Sequence, residues 1–447
     1  MREGSLDAPV RFPLDWQNPD FYDEAKLDAE LRRAFDICHV CRRCFNLCDS
    51  FPRLFDLIDE SKSGELDAVD SAGFAAVVEA CTFCDMCFLT KCPYVPPHEF
   101  ALDIPHLMLR YRAVQAKRGE TSFADRQLAK TDRNGKLAGL VAPLANWATD
   151  ATHKLARQAL ETASDLHREA ELPRYCGKTF VAQARANPPV VDRTAPAFGR
   201  KAVIYATCFV NYNDAAVGRA AHAVLARNGV ETEVVHPHCC GMPMLEQGNI
   251  GAVADAAVVV AGALRPWIDK GYDIVALVPS CALMLKFEWP LILPNDPAVK
   301  HLAAATYDIS EYIVAIARKE GLAPGLHALD GGVSLHMACH ARAQNMGQKA
   351  AEMLRLLPDA DVQVIERCSG HGGSWGFKKQ NFETALKIGR PVARQASEGG
   401  KSFVTSECPL AGAHISQGID RLGGERAKPK LVAHPIQLLA RAYGINA

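Results

Sequence analysis

No run of this chain reaches the roughly 20 apolar residues that a membrane-crossing helix needs; the longest, Ala256 to Leu264 and Leu137 to Ala145, fall well short. The opening residues, MREGSLDAPVRF, contain no apolar stretch of the signal-peptide kind, so the thiols are expected to stay in a reducing, cytoplasmic compartment rather than pair as disulfides. Charge of either sign is not in excess: Lys+Arg 50 against Asp+Glu 51 gives a formal net charge of −1, which excludes the global basic field of a nucleic-acid binder. Low-complexity segments are missing, as are a dinucleotide fingerprint and a phosphate loop. The chain is therefore expected to bind neither NAD nor flavin.

What is abundant is cysteine, with 16 residues, and they are not scattered. Cys38, Cys41, Cys44 and Cys48 form one run, and Cys81, Cys84, Cys87 and Cys92, followed by Pro93, form another. Each is C-x2-C-x2-C with a fourth cysteine close behind, a spacing that wraps three thiolates round one iron-sulfur cube and sends the fourth to a second cube. Two [4Fe-4S] clusters are expected, one on Cys38, Cys41, Cys44 and Cys92 and the other on Cys81, Cys84, Cys87 and Cys48. Zinc sites draw instead on two separated ligand pairs. Four residues, Phe88 to Lys91, precede Cys92 where the bacterial pattern has three, so the turn before Pro93 should bulge.

The 447 residues suit about three domains at roughly 150 residues each. Apolar positions Ala25, Leu27, Leu31, Ala34 and Phe35 predict a helix over 23–36, and shorter helices are expected over 52–58 and 71–80 with Asp70 or Ser71 as cap. Residues 1–98 thus read as a helical ferredoxin-type module. Residues 99–200 read as a helical connector, broken at Pro105, Gly119, Gly135 and Pro143, that ends in an extended linker over 175–200. Within the connector, the apolar segment from Leu137 to Trp147 raises a peripheral contact with the cytoplasmic face of the inner membrane. A run this short ordinarily packs on its own domain, and that reading is preferred.

After Lys201 strands alternate with helices, the pattern of a parallel sheet covered on both faces, and the pattern repeats. Ala202 to Cys208 and Val333 to Cys339 are strands ending in cysteine, 131 residues apart. Val234 to Cys239-Cys240-Gly241 matches Val362 to Cys368-Ser369-Gly370, and Ile274 to Cys281 matches Phe403 to Cys408. Helices are expected over 214–228, 341–357 and 381–395. Two α/β lobes, 201–331 and 332–447, follow. Cysteines at the C-terminal ends of parallel strands converge on the edge where open α/β folds hold ligands, so Cys208, Cys239, Cys240, Cys281, Cys339, Cys368 and Cys408 should line one pocket. A single buried cysteine is commonly just a small hydrophobe, but that does not explain one after each of three successive strands, twice. Cys176 fits no pattern.

These tandem runs and paired Cys…Cys-Cys-Gly…Cys lobes resemble the CCG-domain iron-sulfur proteins, a group that includes heterodisulfide reductase B-type subunits and iron-sulfur subunits of glycolate, lactate and anaerobic glycerol 3-phosphate oxidation. Cys208-Phe-Val-Asn-Tyr-Asn213, Cys239-Cys-Gly-Met-Pro243, Leu285 to Pro290 and Gly376 to Asn381 are similar to blocks of that family. The resemblance implies an electron-transfer subunit that takes electrons from a flavoprotein dehydrogenase and passes them towards quinone or another acceptor, with a further, non-cubane type [4Fe-4S] cluster in the lobes. The alternative it implies is a thiol/disulfide reductase acting at that cluster. Ser369 replaces the second cysteine of the pair in the second lobe, and Ala411 stands where a closing cysteine would, so one cluster, chiefly on Cys208, Cys239, Cys240 and Cys281, is expected. Gly370-His-Gly-Gly-Ser-Trp-Gly376 is not G-x-G-x-x-G, because Trp375 fills the last place. Its glycines are expected to bring backbone N–H groups towards sulfur. His238 and His371 could carry a proton, though a lone loop histidine usually does not.

Overall fold

The computed structural model describes residues 9–423 and 429–445. The first helix, α1 (Glu24–Cys41), starts where the Asp23 carboxylate accepts from Lys26 N and ends where Arg42 takes a left-handed φ of 51°. Its buried stripe is Leu27, Leu31, Ala34 and Phe35, the face predicted but for Ala25, which is exposed in the first turn. The helix runs on past Asp36, so Cys38 and Cys41 sit in its last turn. Phe35 meets Phe74 of α3 (Phe74–Glu79) edge to face at 5.1 Å, and α2 (Ser50–Asp59) adds Phe51 and Phe55 to the same core. A 3-10 turn over Ser71–Gly73, capped by Asp70, precedes α3, so the second predicted helix is present but shorter. The extra residue before Cys92 is absorbed by one π-helical turn, Cys87–Lys91, closed by Cys92 N donating to Cys87 O at 2.8 Å.

The connector is helical: α4 (Ile104–Lys117), α5 (Phe123–Leu128), α6 (Thr131–Leu140), α7 (Ala142–Thr149) and α8 (Lys154–Ser164). Pro105 does not break α4 but lies in its first turn, where no N–H is needed, and Gly135 lies inside α6. The preferred packing of Leu137–Trp147 is corrected: Leu140 is 84% exposed, Leu144 63% and Trp147 51%. The reason is that the small residues face inward. A Cβ on Gly135 would lie 2.4 Å from the Tyr212 ring and one on Gly139 3.2 Å from Cys176 O, and Ala142 is buried. The linker is also corrected, because it contains the helix Phe180–Ala186, anchored by a fully buried Phe180.

Each lobe is a four-stranded, all-parallel sheet. The first has order β2-β1-β3-β4, with β1 (Lys201–Tyr205), β2 (Glu231–Val235), β3 (Asp273–Ala276) and β4 (Thr306–Asp308). The second repeats it as β6-β5-β7-β8, with β5 (Val333–His336), β6 (Val362–Ile365), β7 (Phe403–Ser406) and β8 (Lys430–Val432). β1 and β3 of the first sheet, and β5 and β7 of the second, are paired strands buried along most of their length, as sheets covered on both faces require; of the buried polar residues of β5 and β7, Ser334, His336 and Ser406 are hydrogen-bonded. The helix expected over 341–357 is two short ones, Cys339–Arg342 and Lys349–Leu354, because Asn345 and Gly347 between them take positive φ. Ile250–Ile268 is long and apolar enough to cross a bilayer, contrary to the run lengths in the sequence, because the helix extends the apolar run on both sides. It buries Val253, Ala257, Val260 and Leu264 in the first lobe and packs on Pro297–Ala305.

The lobes interlock. The last helix of the first lobe, Ile309–Lys319, packs on Lys349–Leu354 of the second, and the last helix of the second, Pro435–Ala442, packs on Ala215–Arg227 of the first. The N-terminal segment straps the module to the first lobe: Val10 N donates to Pro96 O and Leu14 N to Leu291 O. Between them Arg11 is buried among Asp85, Asp103 and Glu288, at 2.8, 2.8 and 3.0 Å. One continuous apolar core runs through module and lobes.

Candidate iron-sulfur site

All six strand-end cysteine positions stand on one side of their sheets. Cys208, Cys239 and Cys281 follow β1, β2 and β3, and Cys339, Cys368 and Cys408 follow β5, β6 and β7. In the order β2-β1-β3-β4 the chain turns outward to β2 after β1 and to β4 after β3, so the strand order reverses between the paired β1 and β3, where a crevice is expected at their C-terminal ends. The two crevices face each other in one cavity of about 460 Å³ lined by Cys208, Cys240, Cys281, Cys339, Cys368 and Cys408. Cys239 lies just behind, its Sγ 3.7 Å from that of Cys208. Cys84, from the second N-terminal run, lines the same cavity within hydrogen-bond reach of Cys339.

The N-terminal eight separate into two groups. Around Cys38 stand Cys92, Cys44 and Cys41. Around Cys48 stand Cys84 and Cys81, and Cys87 has Cys84, Cys81 and Cys48 about it, with Cys44 also near. Each fourth cysteine thus lies with the other run. These thiols surround a volume rather than a point: among the described residues no three Cys, His, Asp or Glu converge on a position for a single ion. A donor set spread in this way suits a four-iron cube, whose thiolates attach at separate corners. Burial pushes the Cys38 and Cys48 thiols well above their ordinary range and Cys44 up to about 12, so these three ionise only against a bound cation.

In the lobes one thiol of each stands out. Cys239 is held well below the ordinary thiol range, first by the Cys208 thiol, then by that of Cys240, with Thr131 Oγ1 donating from 3.2 Å and Gly241 N from 3.5 Å. Cys368 is brought down to about 7 by the Cys339 thiol, against burial, with Gly370 N donating from 3.4 Å. The amide after each Cys-Cys or Cys-Ser pair therefore points at sulfur, as the glycines led us to expect. Ser369 lines the cavity and its hydroxyl accepts from His371 N at 3.5 Å.

The sequence reading missed residues the connector contributes. Asp132 at the start of α6 accepts from Cys239 N through Oδ2 and bonds His236 Nε2 through Oδ1, both at 2.7 Å. His340 ties three parts together, with Nδ1 2.8 Å from Ser280 Oγ and Nε2 3.0 Å from Phe83 O. An Asp one helix away carries no spacing signal towards a distant cysteine. Of the two loop histidines, His238 bonds Cys239 O at 3.0 Å, and His371 is buried against Phe377 with Nδ1 unpartnered among the described residues. Cys176 is apart from the cavity, its thiol donating to Asn213 O at 3.3 Å. The cavity is also walled by the apolar side chains of Leu128, Leu160, Leu166, Leu172 and Phe209.

Comparison with known proteins agrees with this division. Residues 31–118 match the citrate utilization protein B Fer4-like domain, and residues 202–286 and 333–416 each match the Cysteine-rich domain, CCG. A subunit of the anaerobic glycerol-3-phosphate dehydrogenase of Escherichia coli (strain K12) is 28% identical over 320 residues, 70% of this chain and 76% of the relative. Lactate utilization protein A of Geobacillus kaustophilus is 29% identical over 252 residues, 54% of this chain and 98% of the relative. A subunit of the fumarate reductase (CoM/CoB) of Methanothermobacter marburgensis is 26% identical over 326 residues, 69% and 60% of the two chains.

Proposed function

For a chain that carries a Fer4-like domain ahead of two cysteine-rich CCG domains, we propose the role of iron-sulfur electron-transfer subunit, taking electrons from a flavoprotein dehydrogenase partner and delivering them to a membrane quinone. Cys38, Cys41, Cys44 and Cys92 hold one [4Fe-4S] cube and Cys48, Cys81, Cys84 and Cys87 the other. Cys208, Cys239, Cys240 and Cys281 hold a further cluster, with Cys339, Cys368 and Cys408 facing it. Bound there, such clusters supply one-electron carriers whose potentials follow burial and hydrogen bonds to sulfur. The observation that carries the reading is Cys84: a residue of the second run lines the same cavity as the lobe cysteines, so the module and the lobes share a wall. The Thr131 hydroxyl and the Gly241 and Gly370 amides donate to sulfur, which favours the thiolate.

The acceptor reading rests on the apolar side chains lining the cavity and on the exposed Leu137, Leu140, Leu144, Trp147 and Leu155 of α6–α8. Such a face, beside an apolar opening, suits a protein seated on a lipid surface whose substrate arrives from the bilayer. The chain alone should oxidise neither a 2-hydroxy acid nor a polyol phosphate, since it has no flavin or dinucleotide motif. The test is anaerobic protein given its reduced flavoprotein partner and, separately, a short-chain quinone or a disulfide. Quinone reduction supports the relay; disulfide reduction alone replaces it with the thiol/disulfide reductase.

A further inference from the structure

A second cavity, of about 290 Å³, lies against the first on the side of the N-terminal module. Its lining is mainly polar, whereas that of the cysteine-lined cavity is mainly apolar. The two share a thin wall made by Thr82, Glu246, Gln247, Gly372 and Ser374. Glu246, the last residue of the short helix Met242–Glu246 that follows the Cys239-Cys240 pair, is the one carboxylate among the described residues that faces both. Its placement depends on the glycine loop: Gly373 takes φ +63, and a Cβ there would stand 2.5 Å from Glu246 Oε1. The glycine loop thereby leaves room for a carboxyl.

We propose that Glu246 is the proton donor to the acceptor reduced in the cysteine-lined cavity, and that it is recharged from water in the outer cleft. The proposal rests on the reading that an acceptor is reduced there. A quinone takes two electrons, which originate in the partner's reduced flavin, and two protons. In each transfer the Glu246 O–H bond breaks as an O–H bond of the quinol forms, and the carboxylate regains a proton from water before the second.

The charges around Glu246 suit this. On the outer side stand Arg112 of α4, Lys378, Asp125 of α5, Glu79 and Glu120. Arg112 uses its donors on the carbonyls of Val78, Cys81 and Glu246, at 2.9, 2.6 and 2.8 Å, and Lys378 pairs with Asp125 at 2.7 Å. Both therefore have other partners besides the Glu246 carboxylate. Burial pushes the carboxyl up to about 7, with Arg112 and Lys378 opposing, so it carries and releases a proton in the physiological range. On the inner side the other titratable groups are the cysteines, Tyr175, His336, His340 and His371. Burial brings His336 to about 4 and His371 to about 3, leaving both neutral, and raises Tyr175; His340 has both ring nitrogens engaged.

The experiment compares the full-length holoprotein and its Glu246→Gln and Glu246→Asp variants, each with the flavoprotein partner and a short-chain menaquinone analogue, across pH. Quinone reduction by Glu246→Gln should fall about a hundredfold near neutral pH and lose the inflection of the native profile, while flavin-driven reduction of the chain's iron-sulfur signals still occurs; Glu246→Asp should regain part of the rate. Native rate and profile in Glu246→Gln overturn the proposal. A native protein that reduces no quinone overturns instead the functional reading beneath it. Infrared difference spectra of the native protein on reduction decide independently of turnover and of whether the variants fold. A protonated-carboxyl band that shifts in D2O, and is missing in Glu246→Gln, is expected; its absence from the native protein overturns the assignment.

Discussion

Cys240 and Ser369 occupy matching places after the second strand of each lobe, and a hydroxyl, with a far higher pKa than a thiol, is a poor cluster ligand at neutral pH. Cys239→Ser or Cys240→Ser should therefore abolish the EPR signal of the lobe cluster and leave the two cube signals, whereas Ser369→Ala should change it little. Equal loss from Cys240→Ser and Ser369→Ala would make Ser369 a ligand. Asp132 grips both His236 and the Cys239 amide, so Asp132→Ala should lower retention of the lobe cluster about 10- to 100-fold against a chelator, with the cubes unaffected. Glu246 makes a pH prediction for stability. Its carboxyl is raised in the fold, so the contribution of the protonated form is complete below about 4.5, the ordinary value, and is lost as pH rises through about 7. Relative to native protein, Glu246→Gln should gain stability with rising pH across that window in denaturant melts; a constant difference would show that the carboxyl is not raised. The cysteine ligands were legible at this scale because thiolate spacing is local. Asp132, His340 and Glu246 were not, because nothing in the sequence near them records which distant loop they meet.

The strap at residues 10–16 is pinned by backbone bonds, by Trp16 Nε1 donating to Ile292 O at 2.9 Å, and most heavily by Arg11. Arg11 reaches Asp85, Asp103 and Glu288 from a site where all four are largely dry, and its guanidinium also lies 4.5 Å over the Phe88 ring. Arg11→Met removes the guanidinium from buried Asp85 and Glu288 and half-buried Asp103, leaving His106 as the partner of Glu288 and Asp103, and should cost about 3–5 kcal/mol, read as a lowered denaturation midpoint of the anaerobic protein. A loss under about 1 kcal/mol would mean that the carboxylates protonate or find water instead. The strands, α1 and the helix after β1 were legible because their apolar positions keep one period over several turns. Elements that depend on close approach were misread. In α6 the inward face is Gly135, Gly139 and then Ala142 of α7, small residues at helical spacing, while the leucines face out. An apolar run was taken for a packed one, although the small residues beside it marked the contact.

At the scale of the molecule, each lobe's last helix packs on the other lobe, so the cavity between them is a fixed feature and not a cleft between loose domains. The exposed face of α6–α8 belongs to this scale too. Leu140→Glu with Leu144→Glu should weaken binding to liposomes by at least about tenfold and leave the melting temperature unchanged; equal binding would remove the membrane from the account. The presence of an N-terminal cysteine module and of two repeated lobes was legible from the cysteine spacing and the 131-residue repeat. The interlock was not, since the helices that cross carry ordinary amphipathic patterns. The most direct test of the central claim is a reductive titration of anaerobically isolated protein, with iron, sulfide and zinc analysis and EPR at each step. Two cubes and a further cluster that share the wall at Cys84 predict brown protein with at least about eight irons per chain, and a third signal, broadened by its neighbour, that Cys240→Ser removes alone. Colourless protein with stoichiometric zinc and fewer than about four irons would contradict it.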